Sequence, residues 1–485
     1  MHNLSQPIFR GNCISGKFVD LPEANGEWKA VSPTDAKEPL GVIRYSYHAV
    51  DDAVAEAKGS LKKLSREVCA NGSKKALIRL SQILRNKEEP NRARLVEIMK
   101  SELGRMSGDI ETELERSADW LAQSVERFET REAELTGVGF EPVGVFAVVL
   151  SFCYPIFYAS QALSQLALTG NALVFKSSEK AVLTLQTLFE LMSQCDFPLG
   201  RLHLIVGEKE VGRRLTLHEE VQGIFFVGSN ETGTRIKQDV VHQHYKRLIL
   251  NMGAKNAALI WSDQEPNLDY CVDQMLLGAY SSAGQSCLST SRLFVHQDLI
   301  ERFVKKFHEK SKAFEIGHPS TNAFMGPLID QTAVDRFIKF VGIASREGAE
   351  VVMRAKILEG ERSNNYVSPA ICWYADASPE LFKKSVFLSS EFLAPGLAIV
   401  GVKDLEQAID SINRCGYGLG AAVFASNTSV VEKFRSQVQA GYTVHNHSTW
   451  SYPAAGGFNP QKKSGNQVMI STGSFEIGLH YRVHC

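Results

Sequence analysis

Polar and apolar positions change their rhythm twice along the chain. Residues 51–128 are dense in charge, with apolar side chains at helical spacing. Within 74–87, Ala76, Leu77, Leu80, Ile83 and Leu84 fall on one face of a 3.6-residue period, which predicts amphipathic helices. Beyond Pro142 short apolar runs take over, at 143–150, 172–175, 202–206, 224–227, 248–250 and 257–260, and they alternate with helix-like stretches at 155–168, 181–194 and 231–241. Buried strands alternating with helices predict an α/β fold with a parallel, doubly wound sheet. After Asp263 the alternation resumes, with a helix-like stretch to Tyr280, a strand at 293–295 and further pairs to about Val444, so a second α/β domain is expected. The tail from Ser474 alternates loosely, as a strand with no obvious partner does, and such a strand points to pairing elsewhere, as in another subunit. No internal repeat or low-complexity segment interrupts the pattern.

Composition narrows the class. A chain of 485 residues with 44% hydrophobic content can bury the cores of two or more domains. Lysine plus arginine (53) nearly balance aspartate plus glutamate (54), and no basic cluster interleaved with aromatics occurs, so neither nucleic acid nor an anionic membrane surface is expected as a partner. The first residues lack a secretory pattern and no apolar run approaches membrane-spanning length, which predicts a cytoplasmic protein. The nine cysteines are odd in number and scattered without ligand spacing, which argues for reduced thiols rather than a disulfide framework or structural zinc. His242/His244 and His445/His447 have no third ligand at sensible spacing, so no metal is expected.

The stretch Ser281-Ser282-Ala283-Gly284-Gln285-Ser286-Cys287 changes the picture most. A lone cysteine in apolar surroundings is usually an inert buried thiol. Here a flexible Ala-Gly step precedes it and the apolar run Leu293-Phe294-Val295 follows, which displays Cys287 at a loop held by a strand. The reading is a covalent nucleophile. Gly228-Ser229 ends one apolar run and opens a helix-like one, so free backbone N–H groups and the helix dipole there suit a pyrophosphate, although a plain glycine turn fits the same residues.

Gly284-Gln285-Ser286-Cys287 resembles the nucleophile motif of the aldehyde dehydrogenase superfamily, and further landmarks follow in that family's order. Glu141-Pro142-Val143-Gly144-Val145, Gly170-Asn171, Lys176-Ser177-Ser178-Glu179, Phe226-Val227-Gly228-Ser229, Met325-Gly326-Pro327, Glu391-Phe392 and Tyr417-Gly418-Leu419-Gly420 are similar to its segments. The resemblance implies a Rossmann-like cofactor domain over 1–122 and 143–250, a catalytic domain over 251–450, and a small oligomerisation arm from 123–142 and 451–485. It also implies a homodimer or higher homo-oligomer. By the same resemblance Lys176 and Glu179 contact the adenine ribose of a nicotinamide cofactor, Gly228 and Ser229 hold its pyrophosphate and Glu391 its nicotinamide ribose. A carboxylate at Glu179 repels a 2′-phosphate, which favours NAD over NADP. The implied reaction is oxidation of an aldehyde, of the semialdehyde class, to an acid through a Cys287 thiohemiacetal and thioester.

Three departures from the family pattern qualify that implication. Asn251 stands where the family keeps the glutamate that activates the hydrolytic water, and an amide cannot accept a proton in that way. Asn251-Met252-Gly253-Ala254-Lys255-Asn256 is similar instead to the methylmalonate-semialdehyde dehydrogenases, which pass the acyl group to coenzyme A. By contrast, His218-Glu219-Glu220-Val221-Gln222-Gly223 and Ser464-Gly465-Asn466 look like succinylglutamate-semialdehyde dehydrogenases, which hydrolyse. Cys153 stands where the family has an asparagine amide that helps hold the oxyanion, and a thiol is a weak donor. Family geometry would also make Cys153 and Cys287 neighbours able to form a reversible disulfide. Finally, 127–142 is shorter than the family's arm. Two alternatives therefore stay open beside hydrolysis: coenzyme A as acyl acceptor, or an impaired cofactor-binding member.

Overall fold

The computed structural model describes residues 9–19, 23–134, 139–360, 363–375, 377–451, 457, 459–468 and 470–482. Two seven-stranded sheets organise it. In the first the strand order is Arg247–Met252, Gly223–Gly228, Val145–Val149, Ala172–Lys176, Leu202–Ile205, Asn12–Ile14, Lys17–Val19. The first five of these strands run parallel, and the N-terminal pair closes the far edge antiparallel. The second sheet is ordered Glu350–Met353, Ala370–Tyr374, Gly396–Val402, Thr290–His296, Asn256–Ile260, Gly420–Phe424, Tyr442–His445, parallel except at Glu350–Met353. Its central strands carry near-continuous apolar runs such as Asn-Ala-Ala-Leu-Ile at 256–260, all buried, because helices cover both faces.

The helices form where the polar rhythm placed them. In Arg66–Arg85, Ala76, Leu77, Leu80 and Leu84 are buried, and Ser65 caps the start by accepting a hydrogen bond from Val68 N. Pro155–Ala162 starts with proline at its first turn and runs into a π-helical turn, Leu163–Ala167, so the stretch expected as one helix changes its winding midway. One continuous hydrophobic core joins the sheets: Phe146 and Phe175 of the first belong to the same cluster as Leu293 and Phe294 of the second.

Three segments show how the expected parts are built. The run at 257–260, counted with the first alternation but within the catalytic domain expected over 251–450, forms a strand of the second sheet, pairing with Thr290–His296 and Gly420–Phe424. The arm expected from residue 123 is helical at first, because Ser107–Glu134 continues through that position with Leu114, Leu121, Val125 and Phe128 on its buried side. The tail strand Leu479–Arg482 finds its partner within the chain, pairing antiparallel with Gly139–Pro142 in a two-stranded unit outside both large sheets.

A late segment also reaches back to the first sheet. Ser464 O accepts from Met252 N (2.6 Å), Asn466 Oδ1 accepts from Leu250 N (3.0 Å), and Gly465 bridges Asn251. A Cβ at Gly465 would stand 2.4 Å from Leu250 O, so this approach requires glycine.

Candidate active site

The C-terminal ends of the first sheet's strands face one cavity of about 500 Å³. Gly223–Gly228 ends at Gly228, and Ser229 then caps the helix Asn230–Asp239, its Oγ accepting from Thr232 N at 3.2 Å. The N–H groups of Asn230 and Glu231 have no intrahelical partner, as helix geometry dictates, and the positive end of the dipole is open. Lys176 closes the neighbouring strand, with Nζ 3.7 Å from the Glu179 carboxylate, and burial pulls the lysine pKa below its usual value. Glu179 is half-exposed at the rim (47% of its side chain). A Cβ on Gly212 would touch only the Lys176 stem, at 3.9 Å, so room remains beside the lysine.

The reactive end lies where the two sheets meet. Cys287 follows three residues in left-handed conformation, Ser282 (φ 52°), Ala283 (φ 53°) and Gly284 (φ 65°). For the two non-glycine residues this costs of order 1–2 kcal/mol each, so surrounding contacts must hold the loop. Asp109 Oδ2 accepts from Ser282 N (2.8 Å), Gln285 Oε1 accepts from Ile329 N (2.8 Å), and Asn256 Nδ2 donates to Cys287 O (2.7 Å). Gly284 sits so close to the following segment that a Cβ would stand 2.4 Å from Ala394 O. The thiol itself is buried, and burial pushes its pKa well up.

Around the thiol stand groups of different competence. Asn251, 2% exposed, leaves Nδ2 without a hydrogen bond. Cys153 follows the strand Val145–Val149; its Sγ lies 3.3 Å from Ser151 Oγ, and burial raises its pKa too. Glu391 Oε1 accepts from Ala254 N at 2.7 Å, and burial pushes its carboxyl up to about 7. Cys287, Asn251, Cys153, Lys176, Glu179, Gly228, Ser229 and Glu391, the eight residues singled out in the sequence, all line this cavity.

Sequence reasoning passed over two buried residues here. Tyr158 Oη lies 2.6 Å from Cys287 Sγ. It sits in an apolar helix-like run, where a tyrosine reads as core, and only the fold brings it to a cysteine 129 residues away. Lys255, in the segment Asn251-Met252-Gly253-Ala254-Lys255-Asn256, places Nζ 3.8 Å from the centre of the Phe392 ring with no hydrogen-bond partner, and burial holds its pKa well below the usual lysine range. Among the described residues no group of three or more His, Cys, Asp or Glu is placed to hold a metal ion, and His445 Nε2 lies instead 2.8 Å from Ala425 O.

Known proteins share this chain's sequence pattern and fold. The malonate-semialdehyde dehydrogenase 2 of Shouchella clausii is 28% identical over 442 residues, covering 89% of this chain and 87% of that one. The 2,5-dioxopentanoate dehydrogenase of Saccharolobus solfataricus is 28% identical over 327 residues, covering 67% and 66%. Among solved structures, betaine aldehyde dehydrogenase of Staphylococcus aureus in complex with NAD⁺ shares the fold with a TM-score of 0.88 at 21% identity, covering 98% of this chain and 94% of that one. The aldehyde dehydrogenase family model matches residues 21–478. The chain therefore belongs to the aldehyde dehydrogenase family and is an oxidoreductase.

Proposed function

We propose that the protein oxidises a semialdehyde with NAD through a covalent Cys287 adduct. The observation that carries this reading is one cavity lined by Lys176, Glu179, Gly228, Ser229, Glu391 and Cys287 together. Its volume lies within the range of ligand sites, and open N–H groups at a helix start suit a pyrophosphate. These residues fit a dinucleotide, and when bound it supplies the hydride acceptor. Lys176 and Glu179 would hold the adenine ribose and Glu391 the nicotinamide ribose. The Glu179 carboxylate at the rim supports NAD over NADP. On this reading the first sheet carries the cofactor and the second the nucleophile loop.

Cys287 attacks the aldehyde carbon, and oxidation leaves a thioester on its sulfur. Release of that acyl group is where this chain differs from its family. Asn251 cannot take a proton from water, and losing a general base costs about 10²–10⁴ in the step it serves. A second reading has a specific basis in that residue: a thiol acceptor such as coenzyme A needs no base at 251, and malonate-semialdehyde dehydrogenases recur among the relatives at 27–28% identity. The two-stranded unit of Gly139–Pro142 and Leu479–Arg482, which joins neither large sheet, supports a homo-oligomer. The setting is cytoplasmic on this reading, and no described helix is long and apolar enough to cross a membrane.

Rapid mixing with NAD and a panel of semialdehydes tests the proposal. One equivalent of NADH per site followed by stalling, with turnover restored by coenzyme A, supports acyl transfer. Steady turnover without it supports hydrolysis. Absence of any burst across the panel overturns the oxidative reading and leaves a cofactor-binding protein.

A further inference from the structure

The reaction centre has lost two of the groups its family relies on, yet one buried hydroxyl is aimed at the nucleophile. Tyr158 Oη stands 2.6 Å from Cys287 Sγ, and its helix is fixed there by a dedicated anchor. Glu113, fully buried, accepts from Ile156 N (2.8 Å) and Phe157 N (3.1 Å) at the helix start, while its other oxygen accepts from Arg105. Arg105 in turn lies 4.2 Å over the ring of Tyr154, the residue that turns the chain into that helix in left-handed conformation (φ 57°). The tyrosine is thus positioned by a buried charge pair, not by loose packing.

Cys153, Tyr158 and Glu391 act on the Cys287 thiol, and of these three only the Tyr158 hydrogen bond favours the thiolate. Burial holds both Cys287 and Tyr158 in their neutral forms. A free thiolate is therefore costly here, and Asn251 offers no base to make one. A neutral route is needed.

We propose that Tyr158 is a catalytic residue that relays the thiol proton to the aldehyde oxygen and then holds that oxygen, supplying the hydrogen bond that Cys153 cannot. The inference rests on the reading of Cys287 as nucleophile. In the addition step the Cys287 S–H bond breaks and an S–C bond forms to the carbonyl carbon. The thiol proton passes to Tyr158 Oη as the tyrosine's own proton passes to the carbonyl oxygen, whose π bond becomes an O–H bond. Nothing is oxidised or reduced, no net charge is created, and Tyr158 ends as it began. The oxygen of a carbonyl bonded through its carbon to Sγ stands two bonds from the sulfur, within reach of the same hydroxyl.

Tyr158→Phe removes only the hydroxyl, and two readouts follow it. In rapid mixing with NAD and a semialdehyde, the rate constant of the NADH burst falls on the order of 10²-fold, the usual cost of one oxyanion donor, while the thermal melt stays unchanged. Independently, the rate of iodoacetamide labelling of the Cys287 peptide is measured from pH 7 to pH 10. A hydrogen bond from Tyr158 stabilises the thiolate, so its loss lowers the labelling rate at each pH in that range. A burst rate constant equal to that of the wild type overturns the proposal. If the wild type gives no burst with any semialdehyde, the oxidative reading fails by itself and labelling still judges Tyr158: an unchanged labelling rate overturns its bond to the thiol, and a slower one sustains it.

Discussion

Replacing Glu391 by Gln tests how the buried carboxyl is held. The glutamine oxygen can still accept from Ala254 N, so the shape and that hydrogen bond persist while the titration disappears. Burial pushes the Glu391 carboxyl from the ordinary 4.5 up to about 7 in the folded protein. The native state therefore binds the proton more tightly than the unfolded chain does. This contribution to stability is present in full below about pH 4.5 and is lost as pH rises through about 7. A rise from 4.5 to about 7 corresponds to about 3 kcal/mol across that window. Glu102, buried and also raised to about 7, titrates in the same direction in both proteins and cancels from the comparison. Urea unfolding of wild type and Glu391→Gln at intervals from pH 4.5 to pH 8.5 gives the difference directly. The variant should gain on the wild type as pH rises, by up to about 3 kcal/mol. A difference that stays flat over the whole range would refute the argument from burial.

Other outcomes follow from the same geometry. Asn251→Glu should turn a stalled burst into turnover in the absence of coenzyme A, by up to about 10²-fold measured as steady-state NADH production. Gly284→Ala forces a Cβ to within 2.4 Å of Ala394 O at φ 65° and should lower stability by at least about 1–2 kcal/mol, read in the urea midpoint, with the burst lost as well. Glu113→Gln leaves the buried Arg105 charge without its carboxylate and should cost about 3 kcal/mol or more in the same assay. Mild oxidation should join Cys153 and Cys287, both free in the structure and lining one cavity, as a two-hydrogen loss linking their peptides in non-reducing mass spectrometry; unlinked peptides would exclude the bond.

The strand–helix alternation was legible because parallel strands buried on both faces leave continuous apolar runs, as at 172–175 and 224–227. Which sheet a strand joins was less so. The run at 257–260 follows the one at 248–250 closely in sequence, but only register with Thr290–His296 and Gly420–Phe424 assigns it to the second sheet. Cys287, Gly228 and Glu391 could be singled out because each lies in a short segment that resembles the family's own. Tyr158 has none. Its function comes from a contact between a helix and a distant loop, and spacing along the chain carries no trace of that. The left-handed turn at Ser282 and Ala283 was hidden for a related reason: neither residue favours that conformation, and Asp109 and the neighbouring packing impose it.

The pairing of Ser464, Gly465 and Asn466 with the strand Arg247–Met252 also constrains how the protein comes into being. The first sheet has most of its strands within the first half of the chain, but the groups that satisfy Leu250 N and Met252 N come more than 200 residues later. At ribosomal rates of about 5–20 residues per second, that edge waits roughly 10–40 s for its partner. During this interval a nascent chain carries an open, apolar strand edge beside the future reaction centre. Maturation of the site is thus a late event in biosynthesis, and truncation before residue 464 should yield a chain that depends on holding chaperones even though the strands of its first sheet are already present.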